Sequence, residues 1–204
     1  MKAKLKITPE QELFAIAEAQ QGLFTARQAI KVGFDKKNHS YHVKAGNWKR
    51  AYRGIYQLVR YPLSNDSEYA LWSLWSCDKD GVSQGVYSYD TALSINELSD
   101  LNPSKIHMTV PPSFRRREIP KILVLHRGEL KPEEIEERSG FRVTKSLRAI
   151  VDLLVANSVS RDFLIQALSE GLQRGLISRR EIEKARLTDN ERTLLSELLI
   201  EVEA

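Results

Sequence analysis

Residues 25–59 read TARQAIKVGFDKKNHSYHVKAGNWKRAYRGIYQLV, and the punctuation of this stretch decides the fold. Thr25 offers a side-chain oxygen to cap a helix over residues 26–31, which stops at Val32-Gly33. Asp35 caps a further helix over residues 36–45, which stops at Gly46-Asn47. Trp48-Lys49-Arg50-Ala51-Tyr52 and Ile55-Tyr56-Gln57-Leu58-Val59 are β-prone runs joined at Arg53-Gly54, the pattern of a hairpin. Upstream, Pro9 follows Thr8 where a first helical turn accepts proline, and Glu10 and Glu12 suit the positive end of the helix dipole. Leu13, Phe14, Ile16 and Ala17 then recur at helical spacing before Gln20-Gln21-Gly22 ends the element. Three short helices followed by a basic hairpin predict a winged helix-turn-helix, whose third helix sits in the DNA major groove.

The third helix is tested by its own periodicity. Taking His39 as the origin, Lys37, Ser40, Tyr41 and Lys44 fall roughly 100° to 200° away, while His42, Val43 and Lys36 lie within about 60°. One face therefore presents two ammonium groups, a hydroxyl and a phenol. Ammonium groups neutralise phosphates or reach guanine edges, and the hydroxyls bond phosphate or base. Lys36 joins this set because it starts the helix, the end that enters the groove deepest. Lys49, Arg50 and Arg53 add cations along the wing, where they follow the phosphate backbone. The expected DNA-binding residues are thus Lys36, Lys37, Ser40, Tyr41, Lys44, Lys49, Arg50 and Arg53. Trp48, Tyr52, Ile55 and Leu58 are expected in the core. His39 and His42 share the Val43 face and are expected to pack against the first two helices; a rotation by some tens of degrees brings His39 to DNA instead. No cluster of metal ligands surrounds them.

Charge is divided along the chain. Of 204 residues with a formal net charge of +4, residues 1–61 hold 12 basic and 4 acidic side chains, a net +8. The remainder holds 19 basic and 23 acidic ones, a net −4. The balance changes at Arg60-Tyr61-Pro62-Leu63-Ser64-Asn65-Asp66, where Pro, Ser, Asn and Asp cluster. The expected domains are therefore a DNA-binding module over 1–61 and an α+β domain over 67–204. In the second region, helices are expected over 67–75, 91–98 (capped by Asp90), 146–156, 161–174, 178–186 and 190–202. Strands are expected over 106–110, 122–126 and 141–144, with a mobile hairpin loop, including Arg115-Arg116-Arg117, between the first two. The apolar side of the last helix (Leu194, Leu195, Leu198, Leu199) is expected to finish the second core. The fold class is α+β: a winged helix-turn-helix, then a small sheet with several helices.

Several function classes are excluded. An apolar fraction of 42% argues against general disorder, and no apolar run approaches the roughly 18 residues of a membrane span. No secretory signal follows the basic start, and a lone Cys77 fits a reducing cytosol, so a cytoplasmic protein is expected. Glycine-rich phosphate loops and zinc spacings are lacking, so neither cofactor nor metal is expected. Cys77 lies among Trp72 and Trp75 as a packing residue, and His107 and His126 read as facing neighbours on adjacent strands. Glu129-Leu130-Lys131 with Asp100 upstream superficially matches a nuclease signature but lacks a second acid on the flanking strand. The Glu133-Glu134-Ile135-Glu136-Glu137 run reads as a solvated face. No catalytic residue is assigned, and an enzyme is not expected.

Ordered motifs carry a family resemblance over roughly residues 10–175. They are Gly22-Leu23-Phe24-Thr25-Ala26-Arg27-Gln28-Ala29, Gly33, Gly46, Arg53-Gly54-Ile55-Tyr56-Gln57-Leu58, Tyr89-Asp90-Thr91-Ala92-Leu93 and Ile106-His107-Met108-Thr109-Val110-Pro111. The strongest is 140–154, where Gly140-Phe141-Arg142-Val143-Thr144 leads into Arg148-Ala149-Ile150-Val151-Asp152-Leu153. The chain resembles the AbiE-type abortive-infection antitoxins (AbiEi), antitoxins of type IV toxin–antitoxin pairs. It departs from their pattern in carrying lysines and histidines on the third helix, and Ser88-Tyr89 in place of a Ser-His pair. The resemblance implies a winged helix that binds inverted repeats at its own promoter and represses the operon. It also implies a C-terminal domain that opposes a nucleotidyltransferase-like toxin, with or without direct binding. Arg148 and Asp152, one helical turn apart, read as a structural contact. The alternative is a winged-helix regulator whose second region senses a ligand or dimerises, with no toxin partner. A downstream nucleotidyltransferase-like gene separates the two.

Overall fold

The computed structural model describes residues 7–62, 64–98 and 104–203. Asp100 and the basic run Met1–Lys6 lie outside the described residues. The chain forms two compact units: residues 1–85 with 138–141, and residues 86–137 with 142–204.

The first unit begins with α1 (Pro9–Glu18), opened by a capping box in which Thr8 Oγ1 accepts Gln11 N–H and the Gln11 side chain accepts Thr8 N–H. Then come β1 (Leu23–Thr25), α2 (Ala26–Lys31), a 3-10 turn (Lys36–Asn38), α3 (His39–Lys44), β2 (Trp48–Tyr52), β3 (Ile55–Leu58) and α4 (Ser67–Trp75). The three strands form an antiparallel sheet in the order β1-β3-β2. This is the order of a winged helix-turn-helix, with a third strand supplied by Leu23-Phe24-Thr25. That strand is too short to show an alternation in sequence, and its last residue doubles as the cap of α2.

Alternation sorts the sheet into two faces. Phe24, Tyr56 and Trp48 join Leu13, Ala17, Ala29, Val32 and Phe34 in one buried cluster under α1 to α3. Trp48 is its hub: its ring lies 4.9 Å from Phe24, 5.2 Å from Phe34 and 5.6 Å from Tyr56, centroid to centroid. On the opposite face α4 packs against β1 and β3, with the Trp72 ring 5.3 Å from Tyr52. The sequence groups this helix with the second region; in the structure it covers the back of the wing sheet, which explains why Ile55 and Gln57 are also buried. Gly22 adopts φ +80°, and a Cβ there would meet the Tyr61 ring at 2.5 Å, so the chain enters β1 by a path only glycine allows.

The second unit contains β4 (Val86–Tyr87), α5 (Tyr89–Ile95), β5 (Ile106–Val110), β6 (Leu123–Arg127), α6 (Ser146–Ala156), α7 (Arg161–Gln173), α8 (Arg179–Lys184), α9 (Asp189–Glu203) and all but one end residue each of β7 (Ile135–Arg138) and β8 (Phe141–Thr144), whose Arg138 and Phe141 belong to the first unit. Its strands run β6-β5-β4-β8-β7. β5 and β6 are parallel, pairing Ile106 with Leu123 and Val110 with Arg127, so residues 111–122 form a crossover and not the expected hairpin. Phe114, 2% exposed, anchors this crossover, and the Arg115 and Arg127 guanidinium groups donate to the carbonyls of Pro112 and Phe114. Two strands escape the sequence reading. β4 has two residues, and β7 occupies the acidic run read as a solvated face, where charged side chains suit an edge strand. α5 starts at Tyr89, two residues early, so Asp90 lies inside the first turn. α6 is buried along most of its length, and Leu195 and Leu198 of α9 complete its core as expected.

Trp48→Ala is expected to destabilise the first unit by about 3–5 kcal/mol, the range for emptying a large aromatic site. Chemical denaturation followed by circular dichroism measures this; a loss below about 1 kcal/mol contradicts the role of Trp48 as the hub.

Candidate nucleic-acid interface

The outward face of α3 is fixed by what its inward face touches. His39 is 4% exposed, with its ring 5.3 Å from Trp48 and 5.7 Å from Tyr56. His42 stacks on Trp48 at 4.5 Å with planes 19° apart, and meets the Phe34 edge at 5.2 Å. Val43 packs against the same cluster. Both histidines therefore pack inward, with their ring contacts on Trp48, Tyr56 and Phe34 of the cluster that α1 and α2 also enter. With His39, His42 and Val43 turned inward, Ser40, Tyr41 and Lys44 face solvent. Tyr41 is 65% exposed, with its ring 5.6 Å from that of His42.

Lys36 and Lys37 occupy the 3-10 turn before α3, where Asp35 accepts Lys37 N–H at 2.9 Å. The expected continuous helix over 36–45 is thus split. A 3-10 turn winds at three residues per turn, so a 100° projection places Ser40, Tyr41 and Lys44 but not Lys36 and Lys37. Both lysines are nonetheless exposed. Across Gly46-Asn47 the chain enters β2, where exposed Lys49 pairs with Gln57 and exposed Arg50 pairs with Tyr56. The Arg50 guanidinium lies 5.9 Å from the Tyr56 ring centroid, a cation–π contact that holds it at the edge of the core. Exposed Arg53 sits at the wing turn, where Gly54 adopts φ +75°. All eight expected residues are exposed. Among the described residues, no carboxylate forms an ion pair with any of the six cations in the set. The sequence reading omits Arg27 and Lys31, exposed and one turn apart on α2. Their i, i+4 spacing around buried Ala29 is the signal that could have found them.

In the second unit several charged groups pair with one another. Arg148 Nε donates to Asp152 at 2.9 Å, and its Nη1 lies 3.1 Å from Glu191 and 3.6 Å from Glu134. Burial pushes the Asp152 carboxyl up; Arg148 opposes this, while Glu134 and Glu191 reinforce it. His107 and His126 face each other with ring nitrogens 3.2 Å apart, and Asp90 lies 3.4 Å from His107 Nδ1. Tyr89 stacks on His126 at 3.7 Å. Burial, then the neighbouring His107, lowers His126 to about 4. Among the described residues, no group of three His, Cys, Asp or Glu side chains is placed to hold a metal ion. No described helix is long and apolar enough to cross a membrane.

With this geometry in place, comparison with known proteins locates the first unit. Residues 11–59 match the family described as transcriptional regulator, AbiEi antitoxin. The match spans α1 to the end of β3, the same segment that carries the candidate interface, and supports a regulator or antitoxin role. No curated protein is significantly similar to the chain. The crystal structure of the RV2827C protein from Mycobacterium tuberculosis superposes with a TM-score of 0.54, covering 90% of this chain and 69% of that one at 13% identity. At that identity the likeness shows the fold alone.

Two measurements check the second unit. Arg148→Ala strands three carboxylates, one buried, and is expected to cost about 3–5 kcal/mol in denaturation experiments. His126 is neutral in the folded state, whereas its unfolded form takes up a proton near the ordinary histidine value of about 6.5. The stability it contributes is therefore complete above that value and is lost as pH falls towards about 4. Wild type is expected to lose more Tm between pH 7 and pH 4.5 than His126→Gln; equal losses contradict this assignment.

Proposed function

We propose that the chain is the antitoxin of a type IV toxin–antitoxin system acting in the cytoplasm. Its winged helix binds inverted repeats at its own promoter and represses the operon. The C-terminal domain opposes a nucleotidyltransferase-like toxin. The observation that carries DNA binding is the pairing of a locked inward face with an open cationic one. Stacking of His39 and His42 around Trp48 leaves Ser40, Tyr41 and Lys44 outward, beside Lys49, Arg50 and Arg53 with no carboxylate partner among the described residues. Lysine and arginine contacts displace counterions and give salt-dependent affinity, while hydroxyls on the α3 face supply base discrimination. Repression needs only occupancy of the promoter, so no chemistry is asked of the winged helix. Opposition to a toxin rests on the family match and on the resemblance of residues 140–154.

A mobility-shift assay on the upstream promoter tests this reading. Lys37→Ala/Lys44→Ala/Arg50→Ala is expected to weaken binding at least tenfold, with a shallower dependence on salt as phosphate contacts are lost. Equal binding by wild type and the triple variant defeats the site assignment. Co-expression with the adjacent gene product tests the antitoxin role, and no rescue of growth points to a regulator without a toxin partner.

A further inference from the structure

We propose that a cleft beside α1 seats a second copy of this chain, forming a two-fold interface between first units. The cleft has a volume of about 410 Å³ and is walled by Phe14, Phe34, Trp48 and Tyr61, with Glu10 and Arg60 also in its lining. Its wall is open to water: Phe14 is 49% exposed, as is Val59 at 52%, which lies between the lining residues Leu58 and Arg60 in the chain. An open aromatic cleft beside exposed apolar groups is the anatomy of an interaction patch.

Charge selects the occupant. Glu10 and Arg60 have opposite signs in one cleft, and among the described residues neither forms an ion pair. A cationic ligand would suit Glu10 and be repelled by Arg60; an anionic ligand would meet the reverse. A second copy related by a two-fold axis satisfies both, because such an interface is self-complementary. Glu10 of one copy faces Arg60 of the other, and the reverse contact follows by symmetry. Phe14 is at once a wall of its own cleft and a projection able to enter the partner's. None of Lys37, Ser40, Tyr41, Lys44, Lys49 or Arg53 lines the cleft. The dimer therefore keeps both candidate DNA faces open. The pairing of two such faces with inverted repeats rests on the function proposed above; self-association stands without it.

Sedimentation equilibrium of the full chain decides the matter. Wild type is expected to self-associate with rising concentration. Phe14→Lys is expected to weaken the dimer at least tenfold, as loss of an aromatic anchor does. Glu10→Arg and Arg60→Glu are each expected to weaken it about two- to fivefold, the range for exposed ion pairs. The double reversal is expected to restore wild-type association, since it exchanges the two signs. Circular dichroism confirms that the variants fold; should Phe14→Lys fail to fold, the charge-reversal set decides alone. A wild type that stays monomeric at hundreds of micromolar overturns the proposal, as does a double reversal no better than the single ones. Binding to one half-site separates the two readings. Its survival in Phe14→Lys with loss of cooperative binding to a full inverted repeat supports the interface. Its absence in wild type strikes DNA binding and leaves the sedimentation result intact.

Discussion

The stack of aromatic rings around Trp48 is the contact from which the geometry of the first unit follows. α3 has only six residues, far below the length at which a helix is stable by itself, so packing holds it in place. His42 lies flat on Trp48, and His39 meets the edges of Trp48 and Tyr56. Trp48 is also the first residue of β2, and Tyr56 pairs with Arg50 across the wing. One set of rings thus fixes the roll of α3 and the position of the wing together. Neither can turn without disturbing the other, which pre-organises a combined surface before any partner arrives.

Local signals in the sequence were sufficient for the elements of this unit and insufficient for their finer geometry. Thr8, Thr25 and Asp35 each accept the backbone hydrogen bond expected of a cap, because capping depends on a few neighbouring residues. The outward placement of Ser40, Tyr41 and Lys44 was likewise legible, since helical periodicity and the apolar character of Val43 agree on which face turns in. The split between a 3-10 turn and α3 was not, because both windings are compatible with Lys36-Lys37-Asn38. The partners of His39 and His42 were also hidden. They depend on which strand lies under α3, a non-local contact that no spacing within the helix encodes.

Pairing between distant strands explains the remaining differences. β1 and β4 are too short for an alternating pattern, and each exists because a longer strand offers it hydrogen bonds: β3 for β1, β5 and β8 for β4. The parallel register of β5 and β6 was concealed by a proline-rich connection resembling a turn. Buried Phe114 and the Arg115 and Arg127 contacts to its backbone show how a crossover without a helix is held. α4 was placed by composition at a charge boundary, but packing follows apolar area. Trp72 finds its surface against Tyr52 on the back of the wing sheet.

How each unit uses its positive charge distinguishes them more sharply than how much it carries. In the second unit Arg148, Arg161, Arg174 and Arg179 each pair with at least one carboxylate. Those cations are neutralised where they stand and offer little to an anionic partner. In the first unit Lys36, Lys37, Lys44, Lys49, Arg50 and Arg53 stand exposed without such partners among the described residues. Mutual repulsion among so many uncompensated cations works against the folded state, and a tight aromatic core offsets it. Stability alone would favour placing acids among them, as the second unit does. Asp35, which accepts Lys37 N–H, stands beside them, but among the described residues no carboxylate pairs with these cations, so none has to be displaced from them by an anionic ligand. The net charge of the chain therefore understates its polarity, because the positive excess is concentrated in residues 1–61.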